Sequence, residues 1–242
     1  MEVMRYLIAA TVLCAGAVVA ADFWKSKQPA EWTEPEATKI LEESPWVKST
    51  TPFMDPKVAR SSRSAGMGSR GGSGNMSGVG PMGTNAGGAG GTPLRLPPVR
   101  VSFETSAAVS DAKLRLKLQD LYQEQRAENV VVSVLGMPMA GDVGRGQKMP
   151  DAERRKEMQE DLQERLTQMT TLKLSNDRVF QPAEVRLQKT VNGQVVLFVF
   201  RREELNLHPD DKQIVFKTLM GPLEVDVKFN LKEMVYQGKL SL

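Results

Sequence analysis

The sequence predicts an α+β protein: a mostly antiparallel sheet with two helices packed on one face, preceded by a short helical segment and a disordered linker. Two observations predict it. After residue 98 the hydrophobic period runs strand, helix, strand, helix and then stays strand-like, with turn residues between the runs. Before residue 98, twelve of the 20 glycines crowd between Gly66 and Gly91, a stretch too poor in apolar side chains to fold. Charge follows the same division. The whole chain carries only +3, but residues 22–56 sum to −3, residues 57–97 to +5 with no acid at all, and residues 98–242 to +1. The expected plan is therefore a signal peptide over 1–21, an acidic head over 22–56, a basic Gly-rich linker over 57–97 and a globular domain over 98–242.

Arg5 precedes an uninterrupted run of apolar and small residues over 6–19, and Val19-Ala20-Ala21 offers small side chains for cleavage before Asp22. That is the three-part layout of a secretory signal. It is short for a membrane span, which needs about twenty apolar residues, although retention as an anchor is the alternative. The expected location is thus the periplasm or the cell exterior. Cleavage would remove Cys14, the sole cysteine, leaving a core with no disulfide to staple it.

All three tryptophans, Trp24, Trp32 and Trp46, fall in the head. Thr33-Glu34-Pro35-Glu36 reads as a helix start, with Thr33 and Glu36 three residues apart as a capping box and Pro35 tolerated in the first turn. Ala37, Ile40 and Leu41 then share one face, and Ser44-Pro45 stops the helix. A helix this short is marginal alone, so Trp24, Trp32, Trp46, Ile40 and Leu41 are expected to dock, either on the protein's own domain or on an envelope partner. The linker would supply reach, a root-mean-square span of roughly 35 Å for a flexible chain of its length. Its arginines Arg60, Arg63, Arg70 and Arg95 would attract anionic surface polymers.

In the globular part, Val99, Val101 and Phe103 alternate with polar residues as a half-buried strand. Leu114, Leu118, Leu121, Tyr122 and Gln125 recur at helical spacing after Ser110-Asp111, which predicts a first helix over residues 110–125. Residues 130–135 form a β-branched run, and Pro150-Asp151 opens a second helix with Met158, Leu162, Leu166 and Met169 in one stripe. Val185 and Leu187 alternate as a strand. Asn192-Gly193 is the strongest hairpin signal, leading into residues 195–200, apolar on both faces and hence a central strand. A second hairpin turns at Gly221-Pro222, and Tyr236, Leu240 and Leu242 suggest a last edge strand.

The candidates for chemistry are few. Gly141 to Lys148 resembles a phosphate loop in setting, but Gln147 separates the glycine from the lysine and Met149 replaces the hydroxyl that would hold magnesium. Met137, Met139 and Met149 have the donor type for Cu(I) but equally the character of core filler. His208, the single histidine, sits with Asp210 and Asp211 downstream of Glu203 and Glu204, a set that suits either a polar turn or an envelope hydrolase. No cofactor, metal site or catalytic residue is assigned, and a charge of +3 gives no reason to expect a nucleic-acid partner.

Two stretches carry a resemblance. Trp32-Thr33 through Ser44-Pro45-Trp46-Val47-Lys48, and Gly221-Pro222-Leu223-Glu224-Val225 through Lys228-Phe229-Asn230-Leu231-Lys232-Glu233-Met234-Val235-Tyr236-Gln237-Gly238-Lys239-Leu240, resemble the two ends of a family of uncharacterised exported bacterial proteins. A similar ending occurs in exported proteins named for a Gly-Trp-x-Thr-Asp motif. That motif is absent here, because Glu31 precedes Trp32 and Glu34-Pro35 follow Thr33. The resemblance implies export and a head–linker–body plan, and it assigns no activity. The expected function is an exported, non-enzymatic binding or scaffolding protein of the cell envelope.

Overall fold

Thr51-Pro52 and Gln181-Pro182 mark two of the places where the chain leaves one sheet and enters the other. In the computed structural model, which describes residues 22–54, 96–137, 151–190, 193–207 and 211–242, both prolines are buried. Strand β1 (Val47–Thr50) precedes the first proline and β2 (Phe53–Met54) follows it; β6 (Val179–Phe180) precedes the second and β7 (Glu184–Thr190) follows it. A proline has no N–H to donate and fixes its φ, so neither ladder can run straight on through these points. Strands β3 (Val99–Phe103), β4 (Asn129–Leu135) and β8 (Gly193–Arg201) complete a first sheet in the order β1-β3-β4-β8-β7. Strands β5 (Thr170–Leu174), β9 (Gln213–Met220) and β10 (Leu223–Asn230) complete a second in the order β2-β10-β9-β5-β6. Every pairing is antiparallel. β11 (Val235–Tyr236) and β12 (Lys239–Leu240) form a separate hairpin.

The α+β class holds, with a correction to the layering: there are two five-stranded sheets where one was expected. They face each other. Phe103 meets Phe229 edge-on at 4.8 Å between ring centres, and Phe198 meets Phe216 at 5.2 Å, so aromatic pairs from opposite sheets fill the middle of the core. The alternation seen in sequence chooses the faces. Val99, Val101 and Phe103 point inward, as do Leu223, Val225, Val227 and Phe229 on β10. β8 is central, as its two apolar faces predict, with Val196, Phe198 and Phe200 in the main core and Leu197 and Val199 in a smaller cluster on the outer face. Buried Thr170 and Thr218, cross-strand partners, satisfy each other's hydroxyls at 2.7 Å.

Turn chemistry sets the registers. Met220 pairs with Leu223, leaving Gly221-Pro222 as a two-residue loop with Gly221 at φ +58°. Proline at the second position excludes a type I′ turn, so glycine first and proline second is the II′ arrangement. Thr190 pairs with Gly193 at the other hairpin, with Gly193 at φ +112°; Asn192 itself lies outside the described residues.

Helices differ most from the sequence-based expectation. α1 (Phe23–Ser26) is a single turn, and α2 (Glu34–Glu42) is closed by the expected box: the Thr33 amide donates to Glu36 Oε2 at 2.9 Å and the Glu36 amide to Thr33 Oγ1 at 3.4 Å. The helix expected over residues 110–125 is instead α3 (Ala107–Arg115), which begins earlier and stops sooner. Lys117 takes a left-handed φ of +55°, which ends it. Its buried face is the small set Ala108, Val109, Ser110 and Ala112, which lets α2 pack closely, and Leu114, Leu118 and Leu121 are about half exposed instead. In α4 (Ala152–Met169) only Leu166 is buried; Met158 and Met169 are exposed, and the N-terminal half of this helix is exposed throughout. α4 runs along β7, where Gln163 Nε2 donates to the Val185 carbonyl at 3.0 Å and occupies a backbone acceptor at that sheet edge. α5 (Arg202–Leu205) is one turn. Residues 236–242 form no edge strand on either main sheet; Tyr236 belongs to β11 and its ring turns inward.

The head is woven into both sheets. β1 pairs with β3 and β2 with β10. Trp24, Trp32 and Trp46 are 4%, 0% and 0% exposed and pack with Phe23, Tyr236 and one another at 5.2–6.3 Å between ring centres, edge-on except for the tilted Trp32–Tyr236 pair. Trp46 Nε1 donates to the Ser241 carbonyl at 2.7 Å. The signal-like residues 1–21, with Cys14, the last two residues of the head and residues 57–95 of the linker lie outside the described residues.

Deleting residues 22–54 should therefore abolish the cooperative thermal transition of the remainder, and Trp46→Ala should cost about 3–5 kcal/mol. Denaturant unfolding followed by circular dichroism checks both. A truncated chain that still melts sharply would show the globular part to be self-sufficient.

Candidate binding cleft

On β3 the residues that alternate with the core, Arg100, Ser102 and Glu104 just past its end, face outward. Opposite them on β4 lie Leu135 and Ser133, and beyond these on β8 Val195 and Leu197. α3 and the segment after it lie over this face, and between them is a cleft of about 310 Å³. Its floor is Arg100, Ser102, Leu135 and Val195; Leu41 of α2, Val109 of α3 and Leu118 form the cover. Cavities of this size and mixed lining are the usual shape of ligand sites. A larger hollow of about 570 Å³ lies beside Asn129, Arg201 and Arg202. Its central cation is already committed, since Arg202 donates to the carbonyls of Arg126 at 3.0 Å and Leu242 at 2.6 Å.

The polar groups beneath the cleft form one closed cluster. Lys113 Nζ lies 2.6 Å from Glu104 Oε2 and 3.8 Å from Asp120 Oδ1. Ser133 Oγ donates to the other Glu104 oxygen at 2.5 Å, and Ser110 Oγ donates to Asp120. Arg126 approaches Asp120 at 3.5 Å, and the Tyr122 amide donates to it at 3.2 Å. The side chains of Lys113, Glu104 and Asp120 are 13%, 15% and 2% exposed, so these charges are held largely out of water and stabilise one another there. Lys113 also sits 5.3 Å from the centre of the Tyr122 ring, whose hydroxyl donates to Gln188 at 2.9 Å. Burial pushes the Tyr122 phenol up to about 12, with the Glu104 and Asp120 carboxylates adding to the rise and Arg186 opposing it.

This arrangement neutralises carboxylates and does not free one to act as a base. Two cations and two serine hydroxyls are spent on Glu104 and Asp120. Two donors on the same floor stay uncommitted. Among the described residues Arg100 makes no ion pair, and Ser102, 6% exposed, makes no side-chain hydrogen bond.

The residues singled out in sequence fall elsewhere, with one exception. Trp24, Trp32, Trp46 and Ile40 are interior, walled in by the protein's own strands and its β11–β12 hairpin, while Leu41 lies half-buried at the cleft. The indole N–H groups of Trp24 and Trp32 have no partner among the described residues. Asp211 is buried and held by Arg178 at 3.3 Å, whereas Glu203 and Glu204 are exposed and Glu204 pairs with Arg201 at 3.7 Å; His208 and Asp210 lie outside the described residues. So do Met139, Met149 and the glycine-rich loop before α4, while Met137 is buried in the core. Among the described residues no group of three or more His, Cys, Asp or Glu side chains is placed to hold a metal, and no helix is long and apolar enough to cross a membrane. Sequence reasoning missed Arg100, Ser102, Glu104, Lys113, Asp120 and Ser133. One signal was present: Ser133 interrupts an otherwise apolar run of valines on β4, and a hydroxyl inside such a run needs a partner.

Lys113→Met should destabilise the protein by about 3–5 kcal/mol, because it leaves two nearly buried carboxylates without their shared cation. Adding Glu104→Gln should recover part of that loss in a double-mutant cycle. Tyr122 provides a second check. The folded protein holds the phenolic proton more tightly than the unfolded chain, so this contribution is intact below pH 10.0 and is lost as pH rises towards about 12. Unfolding monitored against pH should show a steep alkaline fall that Tyr122→Phe makes shallower.

Comparison of the chain with protein-family models, curated proteins and solved structures returns no match.

Proposed function

We propose that this chain is an exported, non-enzymatic binding protein of the cell envelope, and that the cleft over the outer face of the first sheet is where it binds. The observation that carries the reading is the contrast within that face. Its carboxylates are matched by Lys113, Arg126 and two serines, which leaves no poised base, while Leu118 stays half exposed at a cavity with two uncommitted donors. A concave site lined by Leu41, Val109, Leu118, Leu135 and Val195 suits recognition better than chemistry. The three-part pattern of residues 1–21 supports export, and a core completed by aromatic packing supports function where a single cysteine offers no staple. In this reading the tryptophans have a structural part, and the partner-facing residue of the head is Leu41.

Two measurements test it. Fractionation of the source cells with N-terminal sequencing should find a processed chain beginning at Asp22 outside the cytoplasm. A photo-crosslinking residue at position 118 should give adducts in envelope preparations, and one at Asp226, on the exposed face of the second sheet, should not. Cytoplasmic retention of the full chain would overturn the export part, and equal labelling from both positions would overturn the choice of face.

A further inference from the structure

We infer that the cleft takes a small amphipathic monocarboxylate, its carboxylate on Arg100 and Ser102 and its apolar body across Leu135 and Val195 beneath Leu118. The inference rests on reading the cleft as the binding face and adds the chemistry of the occupant.

Arg100 and Ser102 are two residues apart on β3 and share its outer face, roughly 7 Å along the strand. Neither has a side-chain partner among the described residues, and Ser102 is nine-tenths buried at the cleft floor. A hydroxyl with no protein partner that lines a cavity beside an unmatched guanidinium is placed to donate to an acceptor entering there. An anion with two oxygens satisfies both groups, the guanidinium through its planar fork.

The charge count fixes the valence. The other cation of the lining, Lys113, is already divided between Glu104 and Asp120. One positive charge is therefore unmatched. Glu104, two residues beyond Ser102, would repel a second negative charge, so a monoanion fits better than a phosphate dianion. The floor fixes the shape. Arg100 is the cross-strand partner of Leu135, and Leu135 of Val195, so the apolar floor extends two strand spacings from the cation, roughly 10 Å. Leu41 and Val109 wall the same space. A carboxylate with a short aliphatic or aromatic body matches this length.

The test titrates the purified protein with octanoate, 1-octanol and octyl phosphate by calorimetry at neutral pH. Octanoate should bind about tenfold more tightly than either control, the scale of one charge-assisted hydrogen-bond pair. Arg100→Gln should remove that preference while leaving octanol binding and the thermal melt unchanged, and Leu118→Asp should weaken all three ligands. Equal affinity for octanoate and octanol, a preference that survives Arg100→Gln, tighter binding of octyl phosphate, or no octanoate binding would each overturn the carboxylate assignment. The crosslinking experiment separates the two levels. Adducts from position 118 without octanoate binding would leave the cleft as the binding face and discard only the ligand class, whereas absence of both would discard the face itself.

Discussion

Trp46 stands where three distant parts of the chain meet, and the hydrogen bond from its indole to the Ser241 carbonyl joins them. The same Ser241 accepts the Ala107 amide at 2.7 Å through its hydroxyl, which also lies 3.2 Å from the Ser106 hydroxyl. One residue thus supplies the missing partner at the start of α3 and the partner of a buried tryptophan. Tyr236 extends the contact, its ring against Trp32 and Trp46 and its hydroxyl donating to Asp111 of α3 at 2.7 Å. Its ionisation is pushed well above the usual phenol range, first by burial and then by that carboxylate. The position of α3 is set by this cluster, and α3 carries Lys113 to the cleft. The shape of the cleft over the first sheet therefore depends on this aromatic packing.

Among the described residues the outer face of β10 on the second sheet is a solvated one. Glu224, Asp226 and Lys228 point out along β10, and Lys217 of β9 pairs with Glu224 at 2.7 Å. Exposed pairs of this kind add little stability and mark a solvated surface. The first sheet is different because α3 and the segment after it cover its charges. There the same residue types are removed from water, where leaving one unmatched costs several kcal/mol. Burial of the cluster and openness of the cleft above it arise from one cause, the cover of α3 over β3 and β4.

What could be read from the sequence was whatever a local pattern determines. The capping box of α2, the inward alternation of β3 and β10, the central place of β8 and the Gly221-Pro222 turn all follow from neighbours in the chain. The errors have a common origin in long-range packing. A period of leucines suggested the buried face of a helix over residues 110–125, but alanines on the neighbouring face allow closer approach to α2 and occupy the interior instead. β1 and β2 are four and two residues long, too short for alternation to show, and they exist because β3 and β10 offer them partners. The cleft was illegible for the same reason. Arg100 and Ser102 read as the wet side of a half-buried strand, and nothing nearby in sequence announces that residues 109–118 will cover them.

The pairing of Phe53 and Met54 with Glu224 and Leu223 has a consequence for how the chain can acquire this structure. A strand from the first quarter closes one edge of a sheet whose neighbour there is more than 160 residues away, and Trp46 waits equally long for Ser241. Contacts of such separation form late and slowly. During vectorial synthesis, the early segment emerges with three indoles and no surface to receive them until residue 241 has appeared. The intermediate is a long, unfinished chain with sticky aromatic side chains, the kind of species that holding chaperones recognise. Native structure is then a property that this polypeptide acquires only after residue 241 has been made.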